Sequence, residues 1–304
     1  MKISKEHAAR LLANLKLGSS VAENDTLLES ARVETSVFDD LLADRVDLIP
    51  GTKGSGKTAL YRMFVDFLPD LMFQKRRIVI AHGVQQRQDT IFLAYKQQFD
   101  AMSESDFVDF WCIYFVSLAY EQFIKNLRFK ELLKPHKDAI RAFRDAYRKA
   151  GIPDFKGSKS LKEIIAWSLA VVRKLKPTVK WTPPGDVGQL ELSLGLEPSP
   201  MAAREMTDDD PRMPAHIDAL ASSLEQLLGQ VKLSLWLMVD RLDELFTRRS
   251  ETEKKALRGL LRTLRWFGSD RVRLKIFLRD DIFEYIVEGE GFTALTHVTD
   301  RMSD

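Results

Sequence analysis

The run Gly51-Thr52-Lys53-Gly54-Ser55-Gly56-Lys57-Thr58 sets three glycines, a lysine and a hydroxyl at the spacing G-x-x-x-x-G-K-[ST]. Glycines so close together allow backbone conformations and approaches that a Cβ would block, so successive N–H groups can turn inward on an anion. Lys57 has the reach and charge for the outer phosphates of a polyphosphate, and the Thr58 hydroxyl suits Mg²⁺. A helix starting at Lys57 would add the positive end of its dipole. This is chemistry for binding a nucleoside triphosphate, with every residue from Gly51 to Thr58 a contact candidate. A Gly/Lys-rich surface turn is the plain alternative.

A second constellation is Leu235-Trp236-Leu237-Met238-Val239-Asp240-Arg241-Leu242-Asp243-Glu244. An unbroken apolar run reads as a strand buried on both faces of a parallel sheet. Its end brings the Asp240 carboxylate to the sheet edge where a phosphate-binding turn also lies, so Asp240 joins Thr58 as a candidate Mg²⁺ ligand. Asp243 and Glu244 follow within a turn. Either could orient or deprotonate an attacking water, Glu244 ahead of Asp243, and either could instead cap the next helix. Arg279 follows directly on the expected strand Val272–Leu278. Beside a γ-phosphate it would neutralise developing charge; a salt bridge to Asp280 or Asp281 is its other use.

The elements that must position these residues follow from pattern. Val46–Ile49 predicts a strand stopping at Pro50-Gly51, and Lys57–Leu68 a helix ended by Pro69. Arg77–Ala81, Leu233–Val239 and Val272–Leu278 are the further strands. Helices are expected over 3–16, about Asn24–Ala43, Ser105–Leu127 with Ser103 or Ser105 as cap, Lys130–Ala150, Leu161–Lys176, Ala215–Gln230 and Glu251–Phe267. Gln189–Leu194 alternates with period two, as a short exposed strand would. Strand–helix units, a helical interruption and then strand–helix–strand call for an α/β fold with a parallel sheet covered by helices. The expected organisation is an N-terminal helical segment, 1–45; a first core part, 46–128; a basic, mainly helical insertion, 129–214; and a second core part, 215–304.

Composition bounds the rest. Hydrophobic residues at 45% and charged residues at 30% describe a globular chain, and the single Cys112 excludes an intrachain disulfide. Cys112 is expected in the core. The most apolar stretch, Phe107–Ala119, is shorter than a membrane span and holds Asp109. A soluble, cytoplasmic chain without a membrane partner is expected. His7, His82, His136, His216 and His297 show no metal-ligand spacing. From Lys125 to Lys180, 16 Lys/Arg face 5 Asp/Glu, an excess of 11 that leaves −9 for the rest of a chain of net charge +2. That segment is a solvated helical face or a contact for nucleic acid or another anionic partner.

Gly51–Thr58, Asp240-Arg241-Leu242-Asp243-Glu244 and Phe277-Leu278-Arg279 together resemble the STAND and AAA-like P-loop ATPases. With Gly18–Asp25 and Phe277–Phe283 added, the chain resembles more closely a bacterial P-loop ATPase family, some of whose members lie near anti-phage defence genes. The likeness covers roughly residues 17–125 and 215–300. It implies a P-loop NTPase three-layer sandwich of strand order 5-1-4-3-2, with Arg279's strand between those of the glycine loop and Asp240. It also implies ATP and Mg²⁺ as ligands, ATP hydrolysis coupled to conformational change or assembly, and a protein partner or self-association. Glu23, Asn24, Asp25 and Phe38 become candidates for nucleoside contact, with packing the other duty of Phe38. A fifth strand would come from Phe292–Val298, or else the chain is a truncated form. No guanine-selecting N-K-x-D sequence follows the loop, which leans towards adenine, and no arginine-rich lid suggests a nucleotide kinase.

Overall fold

Apolar runs that are short, β-branched and closed by a turn pair in parallel into one sheet: β1 Leu48–Ile49, β2 Ile78–His82, β3 Ser234–Val239 and β4 Val272–Phe277, in the order β1-β4-β3-β2. The structure is a computed structural model that describes residues 36–83, 95–150, 161–175, 212–241, 246, 249–288 and 301–303. The register sets Ile49 opposite Phe277, Val239 opposite Ile276, and His82 opposite Met238. β4 is buried along its whole length and β3 from its second residue, which is why β3 reads as an unbroken apolar run from Leu235 to Val239.

The five-strand order expected from the resemblance needs correction. The described sheet has four strands, and outside β1 lies a single parallel bridge from Leu48 to Met302. Asp47 N and Leu48 N donate to Arg301 O at 2.7 and 3.1 Å, and Ser303 N donates to Leu48 O at 3.0 Å. Three residues make one rung, too few for a ladder. Phe292–Val298 lies outside the described residues, as do the expected 3–16 helix, Gln189–Leu194, and Glu23, Asn24 and Asp25.

Helices cover both faces of the sheet. On one face pack α1 (Ser36–Leu42), α2 (Lys57–Arg62, continued by a π turn over Met63–Phe67) and α3 (Pro69–Arg76), around Phe38, Phe64, Trp236 and Phe277. Pro69 does not merely end the preceding helix. It occupies the first turn of α3, where its missing N–H costs nothing. Phe38 is buried, its ring 5.5 Å from that of Phe64, so packing is the duty observed for it.

The opposite face carries α4 (Lys96–Asp100), α5 (Glu104–Ala119, with a π turn over Tyr120–Ile124), α6 (Lys130–Leu133), α7 (Lys137–Lys149), α8 (Leu161–Leu175), α9 (Arg212–Val231) and α10 (Glu251–Arg262); α11 (Asp280–Val287) follows β4. Phe143, Tyr147 and Ile165 of the 129–214 segment are buried in the same core as α5. Ser103 caps α5 with a reciprocal capping box: Asp106 N donates to Ser103 Oγ, and Ser103 N to Asp106 Oδ2 at 2.8 Å. The helical run Glu104–Ile124 is longer than the 13-residue stretch that sequence singles out. By length and composition it passes for a membrane span, yet 89% of its most apolar window is buried inside the fold.

Gly259 lets α10 approach α5. A Cβ there would lie 2.7 Å from Phe107 Cβ and 3.1 Å from both Glu104 O and Val108 N. In an open helix Gly→Ala stabilises by about 1 kcal/mol. Here the sign reverses: Gly259→Ala costs about 1–3 kcal/mol through overpacking, read as an earlier urea midpoint.

Candidate functional site

The loop Gly51–Thr58 joins the C-terminal end of β1 to the first turn of α2. Gly54 and Gly56 take φ of +88° and +85°, values that disfavour any side chain although a Cβ would meet nothing within 4 Å at either. Gly51 is different: a Cβ there would meet Ser55 Oγ at 2.7 Å. Ser55 N donates to Thr52 O at 3.2 Å, which closes the turn. Gly56 is the N-cap of α2 and brings no side chain to its first N–H groups, which have no partner within the helix. Thr52 to Gly56 are exposed.

The Lys57 ammonium lies back over the loop, donating to Gly51 O at 2.5 Å, Thr52 O at 2.8 Å and Ser55 Oγ at 3.3 Å. Its charge rests on acceptors that a bound anion would replace. Thr58, half-buried, is the next residue of α2.

β4 ties this loop to Asp240 and Arg279. Leu278 N donates to Ile49 O at 3.0 Å and Asp280 N to Gly51 O at 3.3 Å, so Arg279 is flanked by two residues bonded to the β1–loop junction. β3 pairs β4 on its other side, and Asp240 follows directly on Val239. Asp240 therefore ends up about two strand spacings, roughly 10 Å, across the sheet from β1. It is 5% exposed, and a carboxylate in such a place is kept for a specific partner. Arg241 next to it has φ of +57°, a sharp exit from the strand.

Of the two uses open for Arg279, the structure has the ion pair. Its Nε and Nη2 hold Asp281 Oδ1 and Oδ2 at 2.9 and 2.8 Å, a two-pronged bond. The structure thus gathers Gly51–Thr58, Asp240 and Arg279 at one edge of the sheet. Asp243 and Glu244 lie outside the described residues.

Cys112 is buried and burial pushes its thiol pKa up, which fits a core residue and not a nucleophile. His82 is held below its ordinary value by burial. Its N–H donates to Gln122 Oε1 at 2.9 Å and its carbonyl accepts from Gln122 Nε2 at 2.7 Å, so one side-chain amide closes the outer edge of β2. A cleft of about 900 Å³ lies along that edge, lined by Phe73, Ile80, His82 and Arg128, with two strands between β2 and the glycine-loop strand. Among the described residues no cluster of three or more His, Cys, Asp or Glu stands ready for a metal.

Sequence reasoning missed a charged network at the opposite end of β1 and β4. Lys275, with no exposed surface, donates to Asp44 Oδ1, Val46 O and Asp47 Oδ1 at 2.5, 2.6 and 2.7 Å. Arg301 Nε reaches Asp47 Oδ2 at 2.6 Å, and Arg273 lies 3.6 Å from Asp44 and 3.9 Å from Asp47. The signal was available: Arg273 and Lys275 alternate within an otherwise apolar strand, which puts both on one face.

No family model, curated protein or solved structure matches the chain.

Proposed function

We propose that this chain is an Mg²⁺-dependent ATP-binding and ATP-hydrolysing protein of P-loop NTPase type, which couples nucleotide state to conformational change or assembly. The observation that carries the reading is the glycine loop between a parallel strand and a helix. Two of its glycines are at positive φ, the helix start has no side-chain cap, and a lysine is folded over acceptors that a phosphate would replace. The fit to a polyphosphate is chemical as well as geometric: an uncapped helix start and a lysine ammonium meet at one glycine turn. The parallel sheet with helices on both faces suits the same reading.

Thr58 and Asp240 would hold Mg²⁺, the one by its hydroxyl and the other by its carboxylate, directly or through water. Bound there, the ion would neutralise charge on the phosphate oxygens. The loop N–H groups and Lys57 would bind and orient the triphosphate. Glu244, with Asp243 as second choice, would orient or deprotonate the attacking water. Arg279 would exchange Asp281 for the γ-phosphate when nucleotide enters, so the ion pair is its resting arrangement. Adenine is the proposed base. A cytoplasmic role beside a protein partner or in self-association, in anti-phage defence, is the setting that the motif resemblance suggests.

Glu244→Gln separates binding from turnover. It should leave ATP affinity within about twofold and slow phosphate release by about 10²–10⁴-fold, since the amide cannot take the proton. Single-turnover phosphate release reads both. A variant with full turnover would move the base to Asp243.

A further inference from the structure

Helix α7 carries Lys137, Arg141, Arg144 and Arg148 at steps of four, three and four residues. At 3.6 residues per turn these steps bring all four within an arc of about 60°, along about 16 Å of helix axis. Phe143 and Tyr147, buried and in ring contact with Tyr120 of the core, fix the other side of the helix. Lys137, Arg141 and Arg148 are exposed and Arg144 is half-buried. The ion pair described on this stripe joins Arg148 to Asp145 at 2.8 Å, both well exposed, and such pairs hold their partners weakly. Asp138 and Asp145 lie about a quarter turn around the helix. Exposed Arg128, Lys130 and Lys134 precede it, with Glu131 among them.

We propose that this stripe docks the sugar–phosphate backbone of a nucleic-acid duplex. The surface is linear and rigid, with charges stepped about 4.5–6 Å apart along the axis, and so suits a regular row of anions. Three of the four cations are arginines, whose planar forks take phosphate oxygens two at a time. A lipid surface fits less well, because an interfacial helix inserts an apolar face and the apolar face of α7 is spent on the core. Contacts to the sugar–phosphate backbone carry no base information, so the docking is independent of sequence. The surface is separate from the glycine loop, and the inference does not rest on nucleotide binding.

Fluorescence anisotropy of a labelled duplex of about 20 base pairs, titrated with the full chain between about 50 and 200 mM salt, tests it. Four neutralised phosphates predict a slope of log K against log salt of about −3 to −4. Arg141→Glu with Arg148→Glu should lower the affinity at low salt at least tenfold and flatten the slope by about two, leaving the melting curve in place. If charge reversal unsettles the helix, Arg141→Gln with Arg148→Gln gives the same readout with a milder change. Lys57→Ala should bind the duplex as the unaltered chain does, which separates this surface from the nucleotide site. The proposal is overturned if the unaltered chain does not bind at low salt, or if neither double variant weakens binding. Binding to polyglutamate or to phosphatidylserine vesicles as tight as to the duplex would overturn it too.

Discussion

Lys57→Ala should lower the proposed affinity of the chain for Mg·ATP by about two to three orders of magnitude, equivalent to about 3–4 kcal/mol. The Lys57 ammonium donates to Gly51 O, Thr52 O and Ser55 Oγ, three neutral acceptors. On binding it would trade them for phosphate oxygens, and a charge-assisted bond is roughly twice as strong as a neutral one. Removing it would leave the loop itself only its N–H groups and the helix end to offer the triphosphate, and the latter's contribution falls off within a turn. The loop is exposed from Thr52 to Gly56, so the substitution should barely shift the melting temperature. Calorimetric titration of both chains decides the matter. An unchanged affinity would remove the phosphate role of the loop, and a collapsed melting curve would make Lys57 a structural brace.

The second large effect is on stability. Asp47→Ala should cost about 3–5 kcal/mol of unfolding free energy, a substantial share of the 5–15 kcal/mol typical of a domain. Asp47 is held by both Lys275 and Arg301, with Arg273 nearby, so its loss leaves Lys275 and Arg301 sharing Asp44 while Arg273 keeps Asp270. Lys275→Met should cost less. It removes the buried cation, leaves two cations with two carboxylates, and puts an apolar chain of similar length over Trp236, where the ammonium sits 4.6 Å from the ring centroid. The pair Asp47→Ala with Lys275→Met should therefore recover part of the loss. Urea unfolding of the four chains gives the coupling. Strict additivity would show that the network is not cooperative.

Much of this architecture was legible where burial and sequence pattern coincide. β3 is enclosed by helices on both sides, so burial left an unbroken apolar run from Leu235 to Val239. Ser103 could be read as a cap because its partner, Asp106, stands three residues on. β1 was harder: it is two residues long, and its neighbours Asp47 and Pro50 belong to an ion network and a turn. Pro69 does stop the helix before it, but α3 was hidden because a proline that stops one helix can equally start another. Arg279 stayed ambiguous since Asp280 and Asp281 follow at once, and only the three-dimensional arrangement selects Asp281. The alternation of Arg273 and Lys275 could have revealed a polar face, but their partners Asp44 and Asp47, and Arg301 that shares them, come from distant stretches of chain that no local pattern links.

The central claim, that the turn Gly51–Thr58 cradles phosphates, is tested most directly by amide hydrogen exchange of the intact chain with and without Mg·ATP. Its N–H groups should slow by at least tenfold from Gly54 to Ala59, as should those around Asp280, whose own N–H is bonded to Gly51 O. Lys57→Ala should show no such slowing at the same nucleotide concentration. Protection confined to other parts of the chain, or none at saturating nucleotide, would contradict the account.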